Sequence, residues 1–353
     1  MKRQLQFIEN FYMSRCLDLA RQGIPAVKSN PRVGACIVYK DRIIGEGFHE
    51  RFGDPHAEIN AINSIATSDK HLISSSSLFV NLEPCSHFGK TPPCAEEIIR
   101  QQFQKVIIGM LDPNPRVNGK GCKILRQSGI DVKVGILEEE CQELNKAFII
   151  NQKLGRPYII LKWAQSEDGY IGRSGESIKL SGRAIDIHMH KLRAEMDAIL
   201  VGAGTVISDN PALTVRHVEG KNPLRIVLKG KREIPAGSKL LNEGAESWIF
   251  GKTLGSTKYS NARSVLLQDQ EDLIHIMKRL YELNVGSILV EGGRIILEAF
   301  LQADLWDELL IIQTDKTLKS GIKAPKPPNV SFDSIQVEND TLLHFSRKTI
   351  PLL

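Results

Sequence analysis

Glu83-Pro84-Cys85-Ser86-His87-Phe88-Gly89-Lys90-Thr91-Pro92-Pro93-Cys94, read together with His56-Ala57-Glu58, decides what kind of chain this is. One imidazole and two thiolates can hold a zinc ion and leave its fourth position open to water. Glu58 stands two residues after the first ligand, close enough to move protons without binding the metal. Zinc lowers the pKa of a coordinated water, and a carboxylate can carry protons to a departing amine. That is the chemistry of hydrolytic nucleobase deamination. Cys85 and Cys94 lie among Pro, Ser, His and Thr, so they do not read as core thiols. Cys16, on a helix face, and Cys36, within a strand, read as core packing. The common zinc-deaminase spacing puts two residues between the cysteines. Here eight intervene, adding a loop with His87, Gly89 and Lys90 that can meet an anionic part of a substrate.

Outward from these motifs, apolar periodicity predicts layered α/β structure. Met13, Cys16, Leu17 and Ala20 share one helical face over residues 11–20. Apolar runs at 33–39 and 43–48 flank Lys40-Asp41-Arg42 and predict a hairpin. His56 and Glu58 open an amphipathic helix with Ile59, Ile62 and Ile65 on its buried side. A buried strand over 78–82 ends at Pro84, and Cys94 starts a helix through Ile98 and Ile99. The amide groups at that helix start favour a thiolate at Cys94. Strands at 106–110 and 130–134 enclose a helix after Gly121. Gly155-Arg156-Pro157 reads as a boundary, after which the pattern restarts. Strands are expected at 158–164, 198–202, 224–228, near Trp248 and at 287–290, with helices near 184–195 and 273–283. The last strand runs into Glu291-Gly292-Gly293 and a further helix. Two α/β domains are therefore expected, over residues 1–152 and 153–353.

The chain has 353 residues, long enough for two domains, with the composition of an ordinary globular protein. Six sparse cysteines do not form a disulfide framework, which favours a reducing, cytoplasmic setting. No apolar run is long enough to span a bilayer, and the N-terminal residues lack an apolar signal core, so neither membrane nor export is expected. The net charge of +5 is spread over both halves. The lysine-rich stretch 316–326 reads as a solvated loop, and no nucleic-acid partner is expected.

Several segments together resemble the bifunctional deaminase–reductase family of riboflavin biosynthesis. In the first half these are Asn30-Pro31-Arg32-Val33-Gly34, Gly47-Phe48-His49, the two metal motifs and Asp112-Pro113-Asn114-Pro115. The second half continues the resemblance with Leu161-Lys162-Trp163-Ala164, Ser166, Asp168-Gly169, Leu192-Arg193-Ala194 and Asp197-Ala198-Ile199. Gly204-Thr205-Val206, the run from Asp209 to Arg216 and Val290-Glu291-Gly292-Gly293 complete it. The resemblance implies a cytidine-deaminase-like N-terminal domain and a dihydrofolate-reductase-like C-terminal domain. It implies removal of an amino group from a phosphoribosylaminopyrimidine, then reduction of the ribosyl group by NADPH. One zinc ion per chain would be held by His56, Cys85 and Cys94, with Glu58 as proton shuttle. Asn30, His49, His87, Lys90, Asp112 and Asn114 match the deaminase substrate contacts. Lys162, Ser177, Arg193, Leu213, Arg216 and Glu291 match the reductase substrate site. Ala164, Lys179, Thr205, Asp209 and the turn Gly293-Arg294-Ile295 fall where NADPH contacts lie. A homo-oligomer is implied in the same way.

The residues make physical sense of the second site. Arg193 and Arg216 suit phosphate through their planar donor forks. Glu291-Gly292-Gly293 leaves a buried strand and opens a helix, where backbone amides can meet a pyrophosphate. This chain departs from the family at Lys179, where Trp is frequent, and at Lys229, where Asp is frequent. Each adds a positive charge beside the cofactor region. Two other readings stay open on sequence alone: a deaminase whose second half is a non-catalytic scaffold, and an RNA- or nucleobase-directed deaminase. The even charge and the long cysteine loop count against the second.

Overall fold

The computed structural model describes residues 2–51, 53–86, 92–115, 117–176, 178–253 and 261–347. The chain divides into two compact units, the first ending at Gly155 and the second beginning at Arg156.

In the first unit α1 (Lys2–Arg21) precedes the hairpin of β1 (Gly34–Tyr39) and β2 (Arg42–Phe48). There follow α2 (Ala57–Asn63), β3 (Ser77–Leu82), α3 (Cys94–Arg100), β4 (Lys105–Met110), α4 (Lys120–Gln127), β5 (Asp131–Val134), α5 (Glu138–Leu144) and α6 (Lys146–Leu154). The sheet order is β2-β1-β3-β4-β5. β1 is antiparallel to both neighbours, whereas β3, β4 and β5 run parallel. Strand residues alternate between two cores, as a period of two dictates. Ile37, Leu78, Val80, Val106 and Ile108 pack with residues of α2, α3 and α4. Cys36, Val38, Phe79, Ile107 and Met110 pack with residues of α1, α5 and α6.

The expected face of α1 is buried at Met13, Cys16, Leu17 and Ala20, although the helix starts at Lys2. The hairpin turns at Lys40, which takes a left-handed φ of 55°. α2 departs in detail from the expected face: Ile62 and Ile65 are buried, but Ile59 is only half-buried. Ala57 and Ala61 take the central contact instead, because Gly47 lets the helix backbone lie directly on β2. A Cβ at Gly47 would collide with the backbone of Ala57 and Ala61.

Sheet direction explains why the motifs meet. β1 begins at the edge where β2, β3 and β4 end. Asn30 before β1, His49 after β2, Cys85 after β3 and Asp112 after β4 therefore share one edge. Carboxyl ends of parallel strands are where open α/β sheets bind ligands.

The second unit begins with β6 (Tyr158–Gln165), β7 (Tyr170–Gly172), α7 (Arg183–Glu195), β8 (Ala198–Gly202), α8 (Ala203–Asp209), β9 (Leu224–Leu228) and α9 (Lys239–Asn242). It continues with β10 (Ser247–Gly251), β11 (Ala262–Leu266), α10 (Leu273–Glu282), β12 (Ser287–Val290), α11 (Arg294–Gln302) and β13 (Glu308–Gln313). β14 (Ile322–Lys323), β15 (Asp333–Val337) and β16 (Asp340–Ser346) complete it. Its main sheet has the order β11-β10-β9-β8-β12-β6-β13-β16-β15. The strands from β11 to β13 run parallel, and β16 and β15 add an antiparallel edge. No helix among the described residues is long and apolar enough to cross a membrane.

Candidate active sites

The structure brings His56, Cys85 and Cys94 together. His56 caps the start of α2, Cys85 follows β3, and Cys94 is the first residue of α3. Their ligand atoms all lie within 4.8 Å of one another. His56 Nδ1 is 3.2 Å from Cys94 Sγ and 3.5 Å from Cys85 Sγ. Zinc bonds of about 2.0–2.3 Å place tetrahedral ligand atoms roughly 3.5–3.8 Å apart. The spacing and the soft donor set fit zinc. In the absence of a cation the two thiols cannot both ionise. The hydrogen bond with Cys94 holds Cys85 below the thiol range, while that bond and burial push Cys94 above it. A dication removes that conflict. The Cys94 amide donates to Cys85 Sγ at 3.2 Å, so the helix start serves Cys85 and not its own thiol.

Glu58 is buried one residue into α2. Burial raises its carboxyl to about 7, with the Cys85 charge adding and His56 opposing. It lines a cavity of about 370 Å³ with His56, Cys85, Asn30, His49, Asp112 and Asn114. His49 is buried, which lowers its pKa, and its Nδ1 lies 3.3 Å from the Pro55 carbonyl. Asp112 Oδ1 accepts the Asn114 amide at 2.8 Å, which turns the loop after β4. The Arg32 amide donates to Asn145, and the Arg32 carbonyl accepts from Asn81 and Asn145, so buried amides fix the strand entry beside Asn30. His87 and Lys90 lie outside the described residues. Phe148 and Gln152 of α6 also line the cavity, and no motif signalled them.

In the second unit, the register Leu161↔Val290 sets Lys162 beside Glu291. Glu291 accepts both arms of the Arg193 fork at 2.8 and 2.7 Å, and Lys162 Nζ stands 3.9 Å away. Burial pushes the Glu291 carboxyl up, but Arg193 and Lys162 more than reverse this and hold it at about 2. Burial lowers the Lys162 amine, and Glu291 opposes that shift. His190 Nδ1 accepts the Arg216 amide at 3.1 Å; burial, Arg193 and Arg216 lower this imidazole to about 4.

The Arg216 side chain is exposed and donates to Thr214 Oγ1 at 3.0 Å. Leu213 is buried in a left-handed conformation. Buried Arg225 donates to the Ala212 and Ala245 carbonyls, which supports the same loop. Thr205 Oγ1 accepts the Gly293 amide at 3.0 Å, joining α8 to the start of α11. Asp209 accepts from Ser208, Arg294 pairs with Glu298, and Ile295 is exposed. Ala164 lies two residues beyond Lys162 on β6. Ser177 lies outside the described residues. Both departing lysines have carboxylate partners: Lys179 meets Asp186 at 2.6 Å, and Lys229 meets Glu233 at 2.8 Å.

A His/Cys/Cys triad beside a buried glutamate, on a mixed five-stranded sheet, defines a zinc-dependent deaminase domain; a second α/β domain follows it. Residues 8–110 match the cytidine and deoxycytidylate deaminase zinc-binding region, and residues 157–324 match the RibD C-terminal domain. The chain is 38% identical over 326 residues to riboflavin biosynthesis protein RibD of Aquifex aeolicus, covering 89% of each. To RibD of Escherichia coli it is 36% identical over 333 residues, covering 89% of this chain and 90% of that one. The Thermotoga maritima diaminohydroxyphosphoribosylaminopyrimidine deaminase/5-amino-6-(5-phosphoribosylamino)uracil reductase superposes with a TM-score of 0.87 at 35% identity, covering 97% of this chain and 99% of that one. Acinetobacter baumannii RibD gives a TM-score of 0.86 at 32% identity with the same coverage. The chain belongs to the RibD family of bifunctional deaminase–reductases in riboflavin biosynthesis.

Proposed function

We propose that the chain deaminates 2,5-diamino-6-(5-phosphoribosylamino)pyrimidin-4-one to 5-amino-6-(5-phosphoribosylamino)uracil and then reduces the ribosyl group to ribityl with NADPH. The observation that carries this reading is buried Glu58 in one cavity with His56 and Cys85, two members of the metal triad. Deamination is assigned to residues 1–152 and reduction to 153–353. Zinc held by His56, Cys85 and Cys94 would supply Lewis acidity that makes water a nucleophile near neutral pH. Glu58 takes a proton from the attacking water and delivers protons to the ring nitrogen and the departing amine. Water enters and ammonia leaves. Asn30, His49, Asp112 and Asn114 orient the pyrimidine and its ribosyl phosphate, with His87 and Lys90 assigned to the same task.

In the reductase, NADPH supplies hydride, and the chain's own residues hold the two reactants together. Lys162 lies beside the ribosyl carbon that is reduced, and Glu291 and Arg193 fix its position. Because the Arg193 fork is engaged by Glu291, Arg216 is assigned the substrate phosphate, and Leu213 and Ser177 are assigned to the same substrate. Ala164, Lys179, Thr205, Asp209, Gly293, Arg294 and Ile295 are assigned to the cofactor. The sparse cysteines support a cytoplasmic enzyme, and a homo-oligomer is carried over from the family resemblance.

Mass analysis of the reaction tests the reading. Incubation with the diaminopyrimidinone and NADPH should exchange one amine for oxygen and then add two hydrogens. Recovery of unchanged pyrimidine from zinc-loaded protein would refute it.

A further inference from the structure

Glu83 is a buried carboxylate that the mechanism above does not use. Its oxygens accept three backbone amides: Asp112 at 3.1 Å, Gly119 at 2.9 Å and Cys122 at 3.1 Å. Its own amide donates to the Met110 carbonyl at 2.9 Å. Among the described residues no cation pairs with it. The carboxylate is held by these amides, with the Cys122 thiol also against it, and it holds them in return. All three amides belong to the stretch between the end of β4 and the first turn of α4, which carries Asp112 and Asn114. Glu83 itself stands two residues before the zinc ligand Cys85. α4 also approaches closely: a Cβ at Gly121 would collide with the Pro84 carbonyl and press on the Glu83 side chain.

We infer that Glu83 is a positioning residue that sets the distance between the metal centre and the loop gripping the pyrimidine. It links the segment carrying Cys85 to the segment carrying Asp112 and Asn114, acting through backbone and not on the reacting atoms. The inference rests on the proposed assignment of Asp112 and Asn114 to the deaminase substrate. Glutamine at this position is nearly isosteric, but its NH2 cannot accept an amide hydrogen. The hydrogen bonds to one side of the group are lost while packing is kept.

The test is a double-mutant cycle on the full-length, zinc-loaded chain with Glu83→Gln, Asn114→Ala and the double variant. Zinc content and turnover of the uracil substrate with NADPH report folding in the same molecules. Glu83→Gln should keep both and raise the deaminase KM about tenfold, with kcat within about threefold. The double variant should be no worse than Asn114→Ala, because both changes disable one loop. Glu83→Asp keeps the charge but withdraws it, and should give an intermediate KM; it carries the test if Glu83→Gln fails to fold. Zinc loss in Glu83→Asp, or additive KM effects in the cycle, would overturn the inference. Wild-type KM in Asn114→Ala would instead overturn the substrate assignment beneath it, and the inference with it.

Discussion

The metal centre and the Lys162–Glu291–Arg193 cluster lie at equivalent places on two different sheets, the carboxyl ends of parallel strands, yet they are held together by opposite means. The first is a set of donors that conflict until a cation arrives: two thiols and an imidazole within 4.8 Å. The second already sets opposite charges against one another, because Glu291 closes on Arg193 and stands 3.9 Å from Lys162 without help. One site is completed by what it binds; the other is assembled by folding. Removing a ligand from the first should abolish chemistry without greatly disturbing the fold. Removing the anion from the second should disturb the fold itself.

The sharpest break of that contrast is Cys85→Ser or Cys94→Ser. Each should lose zinc, with ammonia release falling below detection, while reduction of the uracil substrate continues. Metal analysis alongside the two activities checks this, and parallel loss of both activities would contradict it. Glu58→Gln should be gentler: zinc stays, and deamination falls about 10²–10⁴-fold. Equal loss of zinc would make Glu58 a structural residue.

On the other side of the comparison, Glu291→Gln leaves two buried cations facing a neutral group. Breaking a buried pair this way costs about 3–5 kcal/mol. In a unit of this size that should lower its melting temperature by roughly 6–20 °C. Calorimetry should show this transition moving while the zinc-holding unit keeps its own. Arg216→Ala is expected to be smaller, raising the reductase KM about tenfold with deamination intact.

The acid limb follows from the sign of the Glu291 shift. Its folded carboxyl lies at about 2, below the ordinary value near 4.3. It therefore contributes stability fully present above that ordinary value and lost as pH falls toward 2. Glu291→Gln should flatten this slope in acid denaturation of the second unit.

What the sequence revealed divides along the same line. His56, Glu58, Cys85 and Cys94 sit in two short motifs, so their chemistry is legible without a fold. Residues 198–202, 224–228 and 287–290 are mostly apolar, interrupted only by Arg225 and Ser287, and the structure places strands over them. Long-range partners are not legible. Glu83 looks like part of a metal motif, but its acceptors' partners come 29 to 39 residues later. Arg193 reads as a phosphate fork because Glu291, 98 residues away, is invisible as its partner. Lys179 and Lys229 read as added charges beside the cofactor region, and the carboxylates that pair with them, Asp186 and Glu233, are not legible as their partners. β15 escaped notice because it is an exposed edge strand with no buried face to leave a period of two.

The central claim is that two separate sites on one chain act in sequence. NADPH oxidation by the Glu58→Gln chain, measured with each of the two pyrimidines in turn, tests it most directly. The account predicts wild-type oxidation with 5-amino-6-(5-phosphoribosylamino)uracil, and oxidation with the diaminopyrimidinone lowered about 10²–10⁴-fold along with deamination. Direct reduction of the diaminopyrimidinone, or loss of oxidation with both, would contradict it.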